Sequence, residues 1–277
     1  MYRMKKVLSL ILISLTICVP VIAKTDKTSA EYLKNKKHLA IMNPIVENVA
    51  EKAIKKTLKK ELGDGRYKVK FEGYTLGSMK KGIFRTLNIT GKNLEIDEIP
   101  VPYLSLKSIT DYNWIDFKED PVKIKSDITF SYDLDLTEKS ISSAMKQKEF
   151  QKTLEKVYKS AYPLFTLHDV RIRIRHNKVH VIMDYSLPLA SNSKKRNFMV
   201  STDFKVENGK IRATNVGIDN AYGNLPIDKL TNLINLIDPL TFTLVQLNEQ
   251  ECKSQIENVK IEDNILKVNG KIYVKGE

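Results

Sequence analysis

The side chains that could perform acid–base or metal chemistry are few and scattered in this sequence of 277 residues. His168 precedes Asp169, which would suit an acid–base pair, but adjacent residues of a strand point to opposite faces. His176 and His180 have a metal-ligand spacing for a helix, yet they flank a predicted hairpin turn. No common hydrolase, metalloprotease or nucleotide-binding motif occurs. The sequence therefore predicts a non-enzymatic protein without a catalytic residue, metal site or cofactor.

Ligand chemistry is more plausible for two groups of basic residues. Arg171, Arg173 and Arg175 alternate along the chain, and alternate residues of a strand share one face. The fork of donors on a guanidinium group suits phosphate oxygens. Lys55 and Lys59 belong to a lysine-rich helix face that could meet anionic headgroups. We predict that these five side chains contact phospholipid headgroups or a membrane surface; a solvated outer face is the alternative for both groups.

Composition restricts the class of protein and the class of partner. The chain has 42% hydrophobic and 29% charged residues, which is typical of a globular protein. Two cysteines exclude a disulfide scaffold and a cysteine-rich zinc module. The formal net charge of +13 indicates an anionic partner, either nucleic acid, a membrane surface or an acidic polymer.

The N-terminal segment predicts the compartment. Residues 1–23 begin with the basic stretch Arg3–Lys6, continue as an apolar run and end in Val21-Ile22-Ala23. This is the pattern of a cleaved secretory signal peptide, and an uncleaved anchor helix is the alternative. We predict a single domain over 24–277, exported to the periplasm or cell envelope. Export argues against a nucleic-acid partner despite the positive charge.

Helical periodicity is clearest after Asn43-Pro44, which reads as a helix N-cap followed by a first-turn proline. Apolar residues that include Val49 and Ile54 then recur at helical spacing until Gly63. Further helices are predicted over 28–42, 137–161 and 226–237. Residues 66–132 alternate between apolar and polar in the pattern of β-strands, and Gly91-Lys92 is predicted to be a turn or bulge.

Three hairpins follow from their turn dipeptides, His176-Asn177, Asn208-Gly209 and Asp263-Asn264. In the first hairpin both strands place apolar residues on the same face, so the register is consistent with itself. The third has one like-charge pair, Lys260 opposite Lys267. The apolar faces of the first two hairpins hold Val170, Ile172, Ile174, Val181, Met183, Phe204, Val206 and Ile211.

The whole-chain pattern resembles the LmeA-type family of phospholipid-binding proteins of the bacterial envelope. The matching stretches are Lys81–Ile89 with Asn93-Leu94, Val170–Tyr185, Phe204–Ile218, Leu236–Phe242 and Ile256–Val274. They are patterns of strands and turns, and Asp238 stands where the family usually has asparagine. The resemblance implies an α+β fold related to the bactericidal/permeability-increasing protein and other tubular lipid-binding domains. In that fold a strongly curved antiparallel sheet wraps around a long amphipathic helix. The resemblance also implies phospholipid binding, without indicating which lipid, and it brings no catalytic residues.

The residues alone are compatible with such a lipid site. An apolar groove formed by these eight apolar hairpin residues, with Val49 and Ile54 from the helix, could hold acyl chains. Each buried CH₂ contributes about 0.8 kcal/mol. The same residues could instead form an ordinary closed core, as in a structural envelope protein. An envelope enzyme whose carboxylates converge from distant positions is a less favoured alternative.

Overall fold

A computed structural model describes residues 43–96, 98–116, 123–148, 151–152, 155, 166–186, 196–219 and 252–277. The helices are α1 (Asn43–Leu62), α2 (Leu76–Lys80) and α3 (Glu138–Met145). The first strands are β1 (Arg66–Gly73), β2 (Ile83–Ile96), β3 (Ile99–Ser108), β4 (Asn113–Asp116), β5 (Lys123–Ile124) and β6 (Ile128–Leu136). The later strands are β7 (Thr166–Arg175), β8 (Lys178–Ser186), β9 (Arg196–Glu207), β10 (Lys210–Asp219), β11 (Cys252–Glu262) and β12 (Ile265–Val274). The predicted signal peptide, the helices over 28–42 and 226–237, and the Leu236–Phe242 stretch lie outside the described residues.

Helix α1 confirms the predicted start at Asn43 and ends before Gly63, whose φ of +81° is the left-handed conformation common after helices. Its buried stripe is Ala50, Ile54, Leu58 and Leu62. The helix packs on β1. Two of its carboxylates accept backbone N–H groups of β1, Glu51 from Phe71 at 3.0 Å and Glu47 from Gly73 at 2.9 Å. These bonds satisfy donors that β1 does not use in pairing with β2, so α1 covers the edge of the sheet.

The larger sheet has eight antiparallel strands in the order β11-β12-β6-β3-β2-β4-β5, with β1 paired to β2. The pairing of its strands shows which residues lie on each of its two faces. Val69 opposes Ile89 on the inner, apolar face, and both side chains are buried. Lys68 opposes Thr90, which opposes Ser105, on the outer, polar face.

Strand β2 runs through Gly91-Lys92, where the sequence predicted a turn or bulge. Pairing with β3 keeps one register on both sides of this point, with Lys92 opposite Tyr103 and Leu94 opposite Val101. The predicted irregularity is instead a single residue, Asn93, with a φ of +55°. This residue turns Leu94 toward the interior, where it is 3% exposed and lies over Gly91.

The second sheet has four antiparallel strands in the order β10-β9-β8-β7. Its two hairpins confirm the predicted registers, since Ile172 opposes Val181 and Ile211 opposes Val206. The third predicted hairpin, β11–β12, is also confirmed, including the like-charge pair of Lys260 and Lys267, although it belongs to the larger sheet. Turn dipeptides and alternation therefore determined local pairing correctly.

Helix α3 and β11, the edge strand of the larger sheet, connect the two sheets. Thr137 caps α3 in a reciprocal capping box with Ser140, as its sequence position predicted, and the helix ends at Met145. The helix packs on both β3 and β7. Ile256 of β11 donates its backbone N–H to the Gly209 carbonyl at the tip of the β9–β10 hairpin, at 3.0 Å. Apolar residues of both sheets consequently belong to one buried cluster.

The predicted α+β fold, a strongly curved sheet wrapped around a long amphipathic helix, is wrong. The structure is 64% strand, with short helices and no strongly curled sheet in the described residues. Helix α1 packs along the edge strand β1, because Glu47 and Glu51 hold it against the unpaired N–H groups there. Only the first part of the predicted 137–161 helix, Glu138–Met145, is present as one continuous described helix.

Candidate functional site

The predicted groove residues of the four-stranded sheet divide into a buried centre and a half-buried rim. The centre is Ile172, Ile174, Val181, Met183 and Ile211, each at most 4% exposed. The rim is Val170, Phe204 and Val206, which are partly exposed and pack against the central cluster. The inner face is therefore closed at its centre and less completely covered at its rim.

The two groove residues predicted on α1 lie elsewhere in the molecule. Ile54 is fully buried, and its helix packs on β1 and β2 of the larger sheet. Val49 is 39% exposed and lies outside the buried stripe of α1. The buried stripe of α1 repeats every fourth residue from Ala50, and this leaves Val49 on the neighbouring, solvent-facing side.

The arginine row of β7, Arg171, Arg173 and Arg175, lies on the outer face of the four-stranded sheet as predicted, but two of the three carry carboxylate partners. Arg171 donates from Nη2 to both oxygens of Asp184, at 2.9 and 2.8 Å. Arg173 donates from Nη1 to Oε1 of Glu138 at 2.8 Å. A lipid phosphate would have to compete with these carboxylates for the same donors.

Lys55 and Lys59 present a different arrangement on α1. Both are exposed, together with the remaining lysines of that helix face. None of them forms an ion pair with another described residue, so their charges are available to a ligand. The described structure places α1 at the edge of the larger sheet, away from the strand that carries the arginine row.

The histidines are engaged in separate local contacts. His168 Nε2 lies 2.9 Å from the hydroxyl of Ser186, whereas Asp169 pairs with Arg171 at 3.3 Å. His180 opposes Arg173 across the β7–β8 ladder, as the hairpin register predicted. Among the described residues no group of three or more histidine, cysteine or acidic side chains could hold a metal ion. None of the described helices is both long and apolar enough to cross a membrane.

A second basic surface was missed by sequence reasoning. It lies on the outer face of the larger sheet, where the register brings together cations from three strands. We call this surface the basic face, and its members are Arg66, Lys68, Lys70, Lys92 and Lys107. Arg66, Lys68 and Lys70 have the alternate spacing that identified the arginine row, so this part could have been found from the sequence. Lys92 and Lys107 could not have been found in this way, because only strand pairing places them on the same face as the cations of β1.

Acidic residues border the basic face on β6. Asp133 opposes Ser105 of β3, and Asp135 opposes Tyr103 on one side and Lys267 on the other. Partial burial raises the pKa of the Asp135 carboxyl above its ordinary value; Lys267 opposes this shift and Asp133 adds to it. The positive potential is consequently concentrated on β1, β2 and β3, and it decreases toward β6.

No family model, no curated protein and no solved structure matches this chain. The resemblance to LmeA-type proteins therefore stays a prediction from the sequence.

Proposed function

We propose that this protein is exported and binds anionic phospholipid. Acyl chains lie against the apolar face of the four-stranded sheet, and basic side chains contact the phosphates. The protein is a lipid binder without catalytic activity, and it carries or retains lipid in the cell envelope. The signal-like residues 1–23 and the net charge of +13 support export and an anionic ligand.

The observation that carries this proposal is the half-buried rim of the inner face. Val170, Phe204 and Val206 continue the apolar surface of the buried centre, yet each keeps part of its side chain exposed. Acyl chains that cover such positions gain about 0.8 kcal/mol for each CH₂ removed from water. A rim of this kind offers acyl chains an entry point next to the apolar interior.

A closed-core structural protein is the second candidate, because the centre of the same face is nearly inaccessible. Val181 is 1% exposed and Met183 is 2% exposed. Side chains buried to this extent already have the packing partners of an ordinary core. In that case the rim is only the margin of the core, and no lipid enters.

Lipid analysis of the purified protein separates the two candidates. The chain is exported in a bacterial host, purified without added lipid and examined by native mass spectrometry, before and after incubation with vesicles of phosphatidylglycerol and phosphatidylcholine. We expect bound phospholipid in the wild-type protein and a clear loss in the rim variant Phe204→Ser/Val206→Ser. Val49→Ser on α1 is the matched control and should retain lipid. A wild-type protein that carries no phospholipid and takes up none from these vesicles would support the closed core.

A further inference from the structure

The basic face has no carboxylate partners of its own. Its five cations are all exposed, and none forms an ion pair with another described residue. Several other lysines on sheet surfaces are paired, as Lys267 is with Glu262 at 2.8 Å and Lys205 with Glu207 at 2.6 Å. The basic face is thus a concentration of uncompensated charge, whereas several cations on other strands hold a carboxylate partner.

Strand pairing fixes the layout of these charges. Arg66, Lys68 and Lys70 follow one another along β1 at every second position, about 7 Å apart. Lys92 stands directly opposite Arg66, and Lys107 lies one strand beyond Asn88, the partner of Lys70. Neighbouring strands are about 4.8 Å apart, so the five charges occupy an area roughly 10 Å by 13 Å. The hydrogen-bonded sheet supplies a broad and fixed support for them.

Exposed apolar side chains continue the same outer face. Ile109 directly follows β3 and is 45% exposed, and its backbone N–H donates to the Thr129 carbonyl at 2.8 Å. Thr129 in turn opposes Tyr273, which is 40% exposed. Ile109 lies two positions beyond Lys107, so this apolar row adjoins the cations. Two of the three large hydrophobic side chains that are exposed in the described chain therefore share one face with the basic residues.

We propose that the basic face and the adjoining row of Ile109 and Tyr273 dock the protein on the surface of an anionic phospholipid bilayer. Lysine and arginine bind lipid phosphates, at about 1 kcal/mol for each cation close to an anionic membrane. Isoleucine and tyrosine enter the boundary between headgroups and acyl chains, which suits a fully apolar and an amphipathic side chain. A soluble polyanion would use the charges and leave Ile109 exposed.

This inference deepens the proposed function by naming the surface that meets the membrane, but it does not require a lipid site inside the protein. Docking depends on the outer face of the larger sheet, whereas lipid retention depends on the inner face of the four-stranded sheet. A protein that docks on vesicles yet carries no lipid would overturn only the proposed function. A protein that carries lipid but docks independently of the basic face would overturn only this inference.

The test compares two triple variants of the full chain, purified in the same exported form. Lys68→Gln/Lys70→Gln/Lys107→Gln removes three of the five positive charges of the basic face. Lys205→Gln/Lys267→Gln/Lys271→Gln removes the same charge from lysines that pair with Glu207, Glu262 and Glu257. Binding is measured by co-sedimentation with vesicles of equal parts phosphatidylglycerol and phosphatidylcholine, at physiological ionic strength.

We expect the basic-face variant to bind on the order of 100-fold more weakly than wild type, at about fivefold for each cation removed. The paired-lysine variant should lose less than about tenfold. Thermal unfolding followed by circular dichroism verifies that each variant is folded. If the first variant fails to fold, Arg66→Gln/Lys92→Gln tests the other end of the same face. Equal losses in the basic-face and paired-lysine variants would overturn the proposal.

A second pair of measurements separates a bilayer from a soluble polyanion. Ile109→Ser/Tyr273→Ser should weaken vesicle binding by about tenfold, because the apolar row no longer enters the interface. The same variant should bind heparin as wild type does. Unchanged vesicle binding in this variant would contradict membrane docking, and together with charge-dependent heparin binding it would identify the face as a polyanion site.

Discussion

The arginine row of β7 and the basic face of β1–β3 look alike in sequence and differ in structure. Arg171-x-Arg173-x-Arg175 and Arg66-x-Lys68-x-Lys70 both place three cations on one side of a strand. In the first row, carboxylates from neighbouring elements occupy two of the three guanidinium groups. In the second, no described carboxylate pairs with any of the three.

The difference shows that a cation attracts an anionic ligand only if no carboxylate of the protein already pairs with it. A cation that already holds a carboxylate contributes to packing and orientation, and a phosphate gains little by displacing that partner. A row of unpaired cations on a fixed sheet retains its attraction for any anionic surface. Alternation along one strand predicts where the cations point, but not which of them are already paired.

The largest expected effect concerns the inner side of the sheet that carries the arginine row. Val181→Asp places a carboxylate where the side chain is 1% exposed, without a compensating partner. We expect a loss of about 3–5 kcal/mol in the free energy of unfolding. Ile182→Asp is the matched control one residue further on, on the outer face opposite Arg171, and should change stability by less than about 1 kcal/mol. Urea denaturation measures both, and similar losses would contradict the assigned faces.

A smaller effect is expected for the carboxylate that joins the arginine row to α3. Glu138 accepts from Arg173 through Oε1 and from the backbone N–H of Ile174 through Oε2, at 2.8 and 3.3 Å. Glu138→Gln should lower the free energy of unfolding by about 1–2 kcal/mol, because it weakens both bonds and removes a negative charge from the first turn of α3. Glu257→Gln, which loses a surface pair with Lys271, should cost less than about 0.5 kcal/mol. Equal losses in the two variants would contradict the claim that the pair of Glu138 and Arg173 stabilises the fold.

These two sites also show how far the sequence could predict this molecule. Hairpin registers were predictable because turn dipeptides and alternating apolar residues act within about ten residues of each other. The carboxylate partner of Arg173 was not predictable, because Glu138 is 35 residues away and reaches β7 only when α3 packs there. The same applies to the position of α1, which depends on N–H groups of β1 that become unpaired only when the sheet ends at that strand.

A further variant removes carboxylate partners from the arginine row, so that this row becomes more like the basic face. Asp169→Asn/Asp184→Asn removes both carboxylates that contact Arg171. We expect binding to phosphatidylglycerol-containing vesicles to increase by about fivefold, the effect of one additional available cation. Asp111→Asn/Asp263→Asn changes the net charge equally at two exposed carboxylates that form no ion pair in the described structure. An increase of the same size in this control would attribute the effect to net charge alone.

The smallest expected effect lies at the acidic border of the basic face. Because the pKa of Asp135 is raised in the folded protein, its ionised form is disfavoured by folding. Asp135 therefore lowers the free energy of unfolding in a pH-dependent way. This destabilisation is absent below the unfolded pKa of about 3.9, develops as the pH rises, and is complete above the raised folded pKa. Asp135→Asn should therefore have a slightly higher melting temperature than wild type at neutral pH, and the difference should vanish at strongly acidic pH. A variant that is less stable than wild type at neutral pH would contradict this account.

The most direct test compares the two basic regions in one vesicle titration. Lys68→Gln/Lys70→Gln and Arg171→Gln/Arg173→Gln each remove two positive charges, and both are measured against wild type with phosphatidylglycerol-containing vesicles at physiological ionic strength. We predict that the lysine variant binds about 30-fold more weakly, whereas the arginine variant loses less than about fivefold. Equal losses, or a greater loss in the arginine variant, would contradict the claim that the unpaired basic face is the surface that meets anionic lipid.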